Sequence, residues 1–414
     1  MKSLDDFIVK SKKKPWRAEG VEWREVRLGD KNYFYIETGA TPETSVKEYW
    51  ENGIIKWATP KDLGKNNGKY LFDTDRKITE AGLNSCSTTL IPKGSILIST
   101  RAPIGHIALL GDEMCFNQGC KGIIIKTNQI LSEFIYYVLL TKVELMKILG
   151  SGPTFEELSK NKLGTVEIPL PFRNGKPDLE TQKKIVEYIE TNFSRIDKIL
   201  EKKKKQLEQL DELWESVLEQ AFKPKKREEW REVKLTEAVE ILDKYRIPVK
   251  KEDRKSGPYP YCGANGIIDF VDGYTHDGEF LLLAEDGGFF GKGELTAYIM
   301  KGKFWANNHV HVLKAKPNIS LRYLYYFSIF YDFTPHLRGA TRPKLSQTGM
   351  KRIKIPIPFH NNLPDIEKQK EIANYLDSVY EKIKVLKEKI QNQITQLEEM
   401  KESILDEVFN HKAK

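Results

Sequence analysis

The sequence predicts an α+β protein: two mixed α/β globular domains joined by two long α-helices that form an antiparallel coiled coil, the whole being a pseudo-twofold internal repeat. Three observations predict it. A long stretch in the middle of the chain recurs at its end; each copy carries an unbroken 3-4 apolar rhythm; and the chain before each copy is rich in Gly, aromatic and β-branched residues. A length of 414 residues is compatible with this, at ~100–200 residues per domain.

The repeat is read by aligning Ile168-Pro-Leu-Pro-Phe with Ile355-Pro-Ile-Pro-Phe. Roughly 23 of the next ~55 positions are then identical without a gap. Asn174 falls on Asn361, Pro177-Asp178 on Pro364-Asp365, Gln182-Lys183 on Gln369-Lys370 and Phe222 on Phe409. The match reaches back to Gly152-Pro-Thr154 and Gly339-Ala-Thr341. A second anchor opens each unit, where Glu22-Trp-Arg-Glu-Val-Arg-Leu28 reads against Glu229-Trp-Arg-Glu-Val-Lys-Leu235. Between the anchors the two units scarcely resemble each other, so the tails share one task and the fronts perform two different ones.

Taken in order, residues 1–22 form an amino-terminal arm. Its Phe7-Ile-Val-Lys-Ser-Lys-Lys-Lys-Pro-Trp16 echoes Phe222-Lys-Pro-Lys-Lys-Arg-Glu-Glu-Trp230, as if it repeated the end of a helix; a disordered basic arm is the alternative. Residues 23–165 form the first front, with strands such as Ser95-Ile-Leu-Ile-Ser-Thr bounded by Gly. Residues 166–222 hold the first long helix and its lead-in, and 223–229 a basic linker. Residues 230–352 form the second front, and 353–414 the second long helix with its lead-in.

Asp178 and Asp365 are N-cap residues, with Glu180 and Glu367 in the positive first turn. Neither Pro nor Gly interrupts 178–222 or 365–409. Ile185, Ile189, Ile196, Ile199, Leu207, Leu210, Leu213 and Val217 mark the seam of the first helix. Leu376, Val379, Ile383, Leu386, Ile390, Ile394, Leu397, Met400, Ile404 and Val408 mark that of the second. Each is the natural partner of the other; packing of each helix on its own front is the alternative.

The net charge is +8, from 67 Lys and Arg against 59 Asp and Glu. The helices are acidic: 178–222 carries 8 basic and 11 acidic residues, and 365–409 carries 7 and 11. About +15 therefore sits on the fronts and connectors. Even the lysine run 202–205 reads as a solvated helix face. Two basic, aromatic-bearing modules on an acidic helical spacer fit a bipartite nucleic-acid reader. No run of 18 apolar residues is present, so no membrane helix is expected. Met1-Lys-Ser-Leu-Asp-Asp carries no signal pattern, and the four cysteines include no CxxC pair, so a cytoplasmic, reducing location is expected.

Catalytic patterns fail. Phe289-Phe-Gly-Lys-Gly293 matches a methyltransferase FxGxG, but the chain has no Pro-Pro dipeptide for the accompanying catalytic turn, so a glycine turn between strands is expected. Pro177-Asp178 and Glu201-Lys-Lys203 imitate a nuclease motif, but they lie along one helix and cannot converge on one metal. No GxxxxGK[ST] loop and no GxSxG elbow occurs. His309-Val-His311 has the spacing of two metal ligands on a strand, yet no third ligand accompanies it, and no metal site is expected.

In this order and twice over, these features resemble the DNA-specificity subunit of type I restriction–modification enzymes. Gly53-Ile-Ile-Lys-Trp-Ala-Thr-Pro-Lys-Asp-Leu63, Ile91-Pro-Lys-Gly-Ser-Ile-Leu, Arg101-Ala-Pro-Ile-Gly105 and Asn117-Gln-Gly119 carry the resemblance in the first front. Tyr259-Pro-Tyr-Cys-Gly-Ala-Asn-Gly-Ile-Ile268, Asn307-Asn-His309-Val-His311 and Gly339-Ala-Thr-Arg-Pro-Lys-Leu345 carry it in the second. The Ile-Pro-x-Pro lead-ins with Gln182 and Gln369 complete it.

The resemblance implies a non-enzymatic adaptor with two target-recognition domains. Each would read one half of a split, asymmetric site in double-stranded DNA, with the helix pair as a ruler between the halves. It also implies partners: two methyltransferase subunits, which would carry S-adenosylmethionine, and translocase–endonuclease subunits. This chain itself would hold no cofactor. A coiled-coil scaffold for proteins and a self-sufficient DNA-modifying enzyme are the alternatives.

Bases are read by Arg or Lys on guanine and by Asn or Gln on adenine, from loops between strands. The DNA-binding candidates in the first front are Lys56, Thr59, Lys61, Arg101, Gln118 and Lys121, with Thr154 near phosphate. Those in the second are Tyr259, Tyr261, Asn265, His309, His311, Arg338, Thr341, Arg342 and Lys344. For each, surface solvation or a core hydrogen bond is the alternative. Trp57 reads as a core aromatic.

Overall fold

The computed structural model describes residues 14–151, 157–224, 229–339 and 341–410. The amino-terminal echo at 7–13 and the Gly152-Pro-Thr154 segment lie outside them. The chain forms two compact units, one within Met1–Lys202 and Gln393–Lys414, the other within Lys203–Asn392. Among the described residues no helix is long and apolar enough to cross a membrane.

The fronts, unlike in sequence, share one topology. In the first, a sheet runs in the order Phe34–Thr38, Cys120–Ile125, Ile96–Ser99, Ile107–Leu110, Tyr70–Leu71. In the second, Val239–Ile241, Val310–Ala315, His276–Ala284 and Ala297–Ala306 follow the same order. The register also agrees: Ser99 faces Cys120 and Ile98 faces Lys121, as Ala284 faces Val310 and Leu283 faces His311. Each front then adds a short parallel pair, Trp57–Ala58 beside Cys115–Phe116 and Tyr261–Cys262 beside Trp305–Ala306. These central strands are buried on both faces, which explains their continuous Ile, Leu and Val runs. The long strand Ala297–Ala306 does the work of two shorter ones in the first front.

The two sequence anchors of each unit turn out to be partners. Glu22–Arg27 pairs antiparallel with Glu167–Arg173, and Glu229–Lys234 pairs with Lys354–His360 in the same register, Trp23 opposite Pro171 and Trp230 opposite Pro358. This small sheet closes each front and delivers the chain to its helix. There Asp178 caps the Thr181 N–H (3.1 Å) and Asp365 caps the Lys368 N–H (3.0 Å).

One turn on, Gln182 and Gln369 are fully buried. Gln182 accepts from the Leu131 N–H (2.9 Å) and donates to the Gln129 carbonyl (3.0 Å). Gln369 accepts from the Ser320 N–H (3.0 Å) and donates to the Asn318 carbonyl (3.0 Å). Each glutamine thus ties its long helix to the start of a short one, Ser132–Leu140 or Leu321–Phe330.

The long helices, Leu179–Phe222 and Ile366–Phe409, each have 44 residues, or ~66 Å at 1.5 Å per residue. They pair antiparallel within each unit. In the first unit Lys401 bonds Asp197, and Phe409 packs on Phe134 at 5.5 Å between ring centroids. In the second unit Lys387 bonds Asp211, and Phe222 stacks on Phe330 at 5.0 Å. A compact unit therefore holds the start of its own helix and the end of the other, rather than one front with one whole tail. Antiparallel pairing sets each helix end beside the other's start, where Phe409 and Phe222 are buried.

The predicted stripe needs two corrections. Leu213 and Leu386 are 48% and 47% exposed. A two-helix seam is narrow, so a residue one position off it faces water. The inward places go to their neighbours: Trp214 meets Tyr380 at 5.3 Å and Lys387 reaches across to Asp211.

Candidate nucleic-acid interface

Both fronts build one loop cluster on the same backbone frame. In the first, the Asn117 N–H donates to the Ala58 carbonyl (2.9 Å), Thr100 N–H to Gly119 (2.8 Å) and Leu158 N–H to Thr100 (2.9 Å). In the second, Asn307 N–H donates to Cys262 (3.1 Å), Glu285 N–H to His309 (2.9 Å) and Leu345 N–H to Glu285 (2.7 Å). Asn117 and Asn307 each fold a side-chain carbonyl onto the N–H two residues on, at 3.0 and 2.8 Å. The next bridges also correspond, Arg101 opposite Glu157 and Asp286 opposite Lys344. The frame is common, but the charge at these positions is reversed.

In the first front, Thr59 caps the short helix Pro60–Lys65 in a capping box with Asp62, which holds Lys61 exposed on its first turn. Exposed Gln118 accepts from the Thr41 hydroxyl (2.5 Å). Arg101 pairs with Glu157 at 3.1 Å. Gly119 lies against Pro60 and Lys121 reaches the Gln118 carbonyl (3.3 Å), so these loops meet at one place. Lys56 sits apart from it, on a strand, paired with Asp112 at 2.6 Å. Lys121 is a correction. It is 3% exposed, and burial pushes its ammonium below the ordinary lysine value against the pull of Glu157. It supports the loops from beneath rather than meeting a base. Trp57 is in the core, and Thr154 lies outside the described residues.

The second front brings together more of its candidates. Asn265 donates to the Gly287 carbonyl (3.0 Å). Arg338 and Lys344 exchange backbone hydrogen bonds of 3.0 and 2.9 Å, closing a turn that displays Thr341 and Arg342. Gly339 makes that turn feasible at φ +95°, where a Cβ would lie 2.8 Å from the Arg342 carbonyl. Arg342 and His309 share the Asp286 carboxylate, at 2.9 and 2.6 Å. Tyr259 stands away from this group, against Tyr274 at 5.2 Å.

Two candidates are corrected by burial. Tyr261 is internal, its hydroxyl accepting from the Val249 N–H (3.0 Å). His311 is internal too, bonded to Asp243 (2.6 Å) and the Leu345 carbonyl (2.7 Å). Asp243, Glu285 and His311 bring ligand atoms within 4.8 Å of one another, but cations of the chain already serve the acids. Arg246 and Lys344, the latter at 2.5 Å, hold Glu285, while Arg246 and Gln347 reach Asp243. Burial opposes ionisation, yet hydrogen bonds from Lys344 and Arg246 hold the Glu285 carboxyl below its ordinary range, and those from His311 and Gln347 do so for Asp243. His309 and His311 serve different carboxylates. Residues 289–293 lie in the connection between His276–Ala284 and Ala297–Ala306.

Asp286 and Glu285 organise this cluster, and neither is among the candidates that the sequence offers. Their only sequence signal is a pair of acids at the end of an apolar strand, just before Gly287-Gly288.

Two modules of one topology, each ending in a differently charged loop cluster, define a two-headed recognition protein. The chain belongs to the type I restriction modification DNA specificity family, whose domain matches it twice, over residues 20–209 and 227–396. Its work is DNA sequence recognition. It is 30% identical, over 78% of its length and 80% of the relative's, to the type I restriction enzyme MjaIX specificity subunit of Methanocaldococcus jannaschii. It is 26% identical to the EcoprrI specificity subunit of Escherichia coli, covering 92% of this chain and 91% of that one. Its fold is similar to a chain solved in work on assembly and conformational transition of the type I R-M system, with TM-score 0.71 and 17% identity over 95% of this chain and 98% of that one.

Proposed function

We propose that this chain is the non-catalytic specificity subunit of a type I restriction–modification complex, with each front reading one half of a split, asymmetric DNA site. The observation that carries the reading is one frame used twice with opposite charge, Arg101–Glu157 in one front and Asp286–Lys344 in the other. Equal frames suit equal tasks, and reversed charge suits different bases. The exposed candidates Lys61, Arg101 and Gln118, and Asn265, Arg338, Thr341 and Arg342 with half-exposed His309, are the reading groups of the two fronts; Lys residues nearby serve phosphate and make affinity salt-dependent. The paired helices act as the ruler between half-sites. Two methyltransferase subunits, which bring S-adenosylmethionine, and translocase–endonuclease subunits assemble on this chain.

The test is coexpression with a methyltransferase subunit, followed by mapping of methylated adenines. A two-part motif with different halves and a fixed gap is expected. A continuous motif, or methylation without any motif, refutes the proposal, and so does methyl transfer by the chain alone.

A further inference from the structure

We infer that Asp286 is a positioning residue for the second front, holding His309 and Arg342 together as the element that reads one G·C pair. The inference rests on the reading of this front as a DNA reader. Asp286 is itself buried, and one of its oxygens accepts both from His309 Nδ1 (2.6 Å) and from Arg342 Nη2 (2.9 Å). Of the two side chains it holds, His309 is half-exposed, at 36%, and Arg342 is exposed, at 65%. A buried anchor with displayed arms differs from a surface ion pair, in which both members are solvated.

The loops around the anchor are pinned independently. Asp286 bridges the backbone of Lys344, Gly287 turns at φ +66° and is held by Asn265, and the Arg338–Lys344 turn carries Arg342. Folding does not demand a carboxylate here, because the same backbone bridge in the first front carries Arg101. The polarity of this position is free to serve recognition.

The chemistry selects the base pair. A neutral imidazole that donates its Nδ1 proton to a carboxylate offers Nε2 as an acceptor. Among the described residues Nε2 of His309 has no protein partner. In the major groove an acceptor suits the cytosine N4 amine, and a guanidinium suits O6 and N7 of guanine. One G·C pair offers both sets on a single edge.

The experiment uses the full chain assembled with a methyltransferase subunit and maps methylated adenines genome-wide for wild type, Asp286→Ala and His309→Ala. In both variants one half of the motif stays intact. In the other half one G·C position is relaxed, with methylation at mismatched sites rising about tenfold or more. His309→Ala, which removes a half-exposed ring and leaves Asp286 with Arg342, decides the matter if Asp286→Ala melts early. An unchanged motif in both variants overturns the inference. So does an even loss of methylation at every site by a variant that melts like wild type, or a wild-type half-site without a G·C pair in the half that changes. A wild-type chain that yields no two-part motif refutes instead the reading on which the inference rests.

Discussion

Replacing Gln369 by Met keeps the length and volume of the side chain and removes its carboxamide. In the folded protein that group accepts from the Ser320 N–H and donates to the Asn318 and Asp365 carbonyls, at 3.0, 3.0 and 3.1 Å. Asp365 keeps a second partner in the Gln369 N–H, so it loses little. Asn318 is exposed and its carbonyl gains water in exchange, a net loss of about 1 kcal/mol. Ser320 is half-buried, and leaving its N–H unpaired costs about 1–2 kcal/mol more. The sum of about 2–3 kcal/mol lowers Tm by about 4–12 °C in a unit of this size. Gln182→Met should fall by a similar amount, since its two bonds are the same within 0.1 Å. Lys370→Met, on the exposed face one residue away, is the control. Thermal melting followed by circular dichroism reads all three. If both glutamine variants melt within about 1 °C of wild type, these tethers are not structural and the reasoning is refuted.

Other outcomes follow from the same geometry. Asp243 and Glu285 are held below the ordinary carboxylate range in the folded protein. Their stabilisation is therefore complete above about pH 4–5 and is lost as pH falls through the lower folded values. The melting temperature of wild type should drop steeply there, and that of an Asp243→Asn, Glu285→Gln double variant less steeply; parallel curves would contradict this. Gly339→Ala forces a Cβ onto a left-handed residue 2.8 Å from the Arg342 carbonyl. It should cost about 1–2 kcal/mol, read as a lower melting temperature, and an unchanged one would show that the turn relaxes freely. Deleting one heptad from each long helix removes ~10.5 Å. If the helices are the ruler, the methylation motif's gap should shorten by about three base pairs at ~3.4 Å each, and an unchanged gap would reject that role.

The long helices were legible because their signals are local: an Asp cap, no Pro or Gly, and a spacing of 3 and 4. Their partner's position was not, since Leu213 and Trp214 look equally apolar to a periodicity count and only the narrow seam chooses between them. The Glu-Trp-Arg-Glu-Val and Ile-Pro-x-Pro anchors were visible as repeats. That they pair with each other was hidden, because more than a hundred residues separate them and a ladder made of backbone bonds leaves no side-chain imprint. The common frame of the two fronts was hidden for a related reason. A buried strand accepts any apolar residue of suitable size, so Ile98 and Leu283 occupy one place without looking alike.

At the interface, residue type was a poor guide to exposure. Tyr261, His311 and Lys121 have the chemistry of readers and lie inside. Asp286 has no reader's chemistry of its own, for an anchoring acid acts through its neighbours.

The first compact unit is discontinuous, for it takes in residues 393–414 after the whole of the second has intervened. A ribosome adding ~5–20 residues per second makes the intervening stretch in about 10–40 s. For that interval the nascent first front, with Phe134 in place, lacks the Phe409 ring that covers it. The second unit, continuous in the chain, has no such wait. The unit whose synthesis begins first is thus the one whose residues are completed last, after every residue of the other has been made.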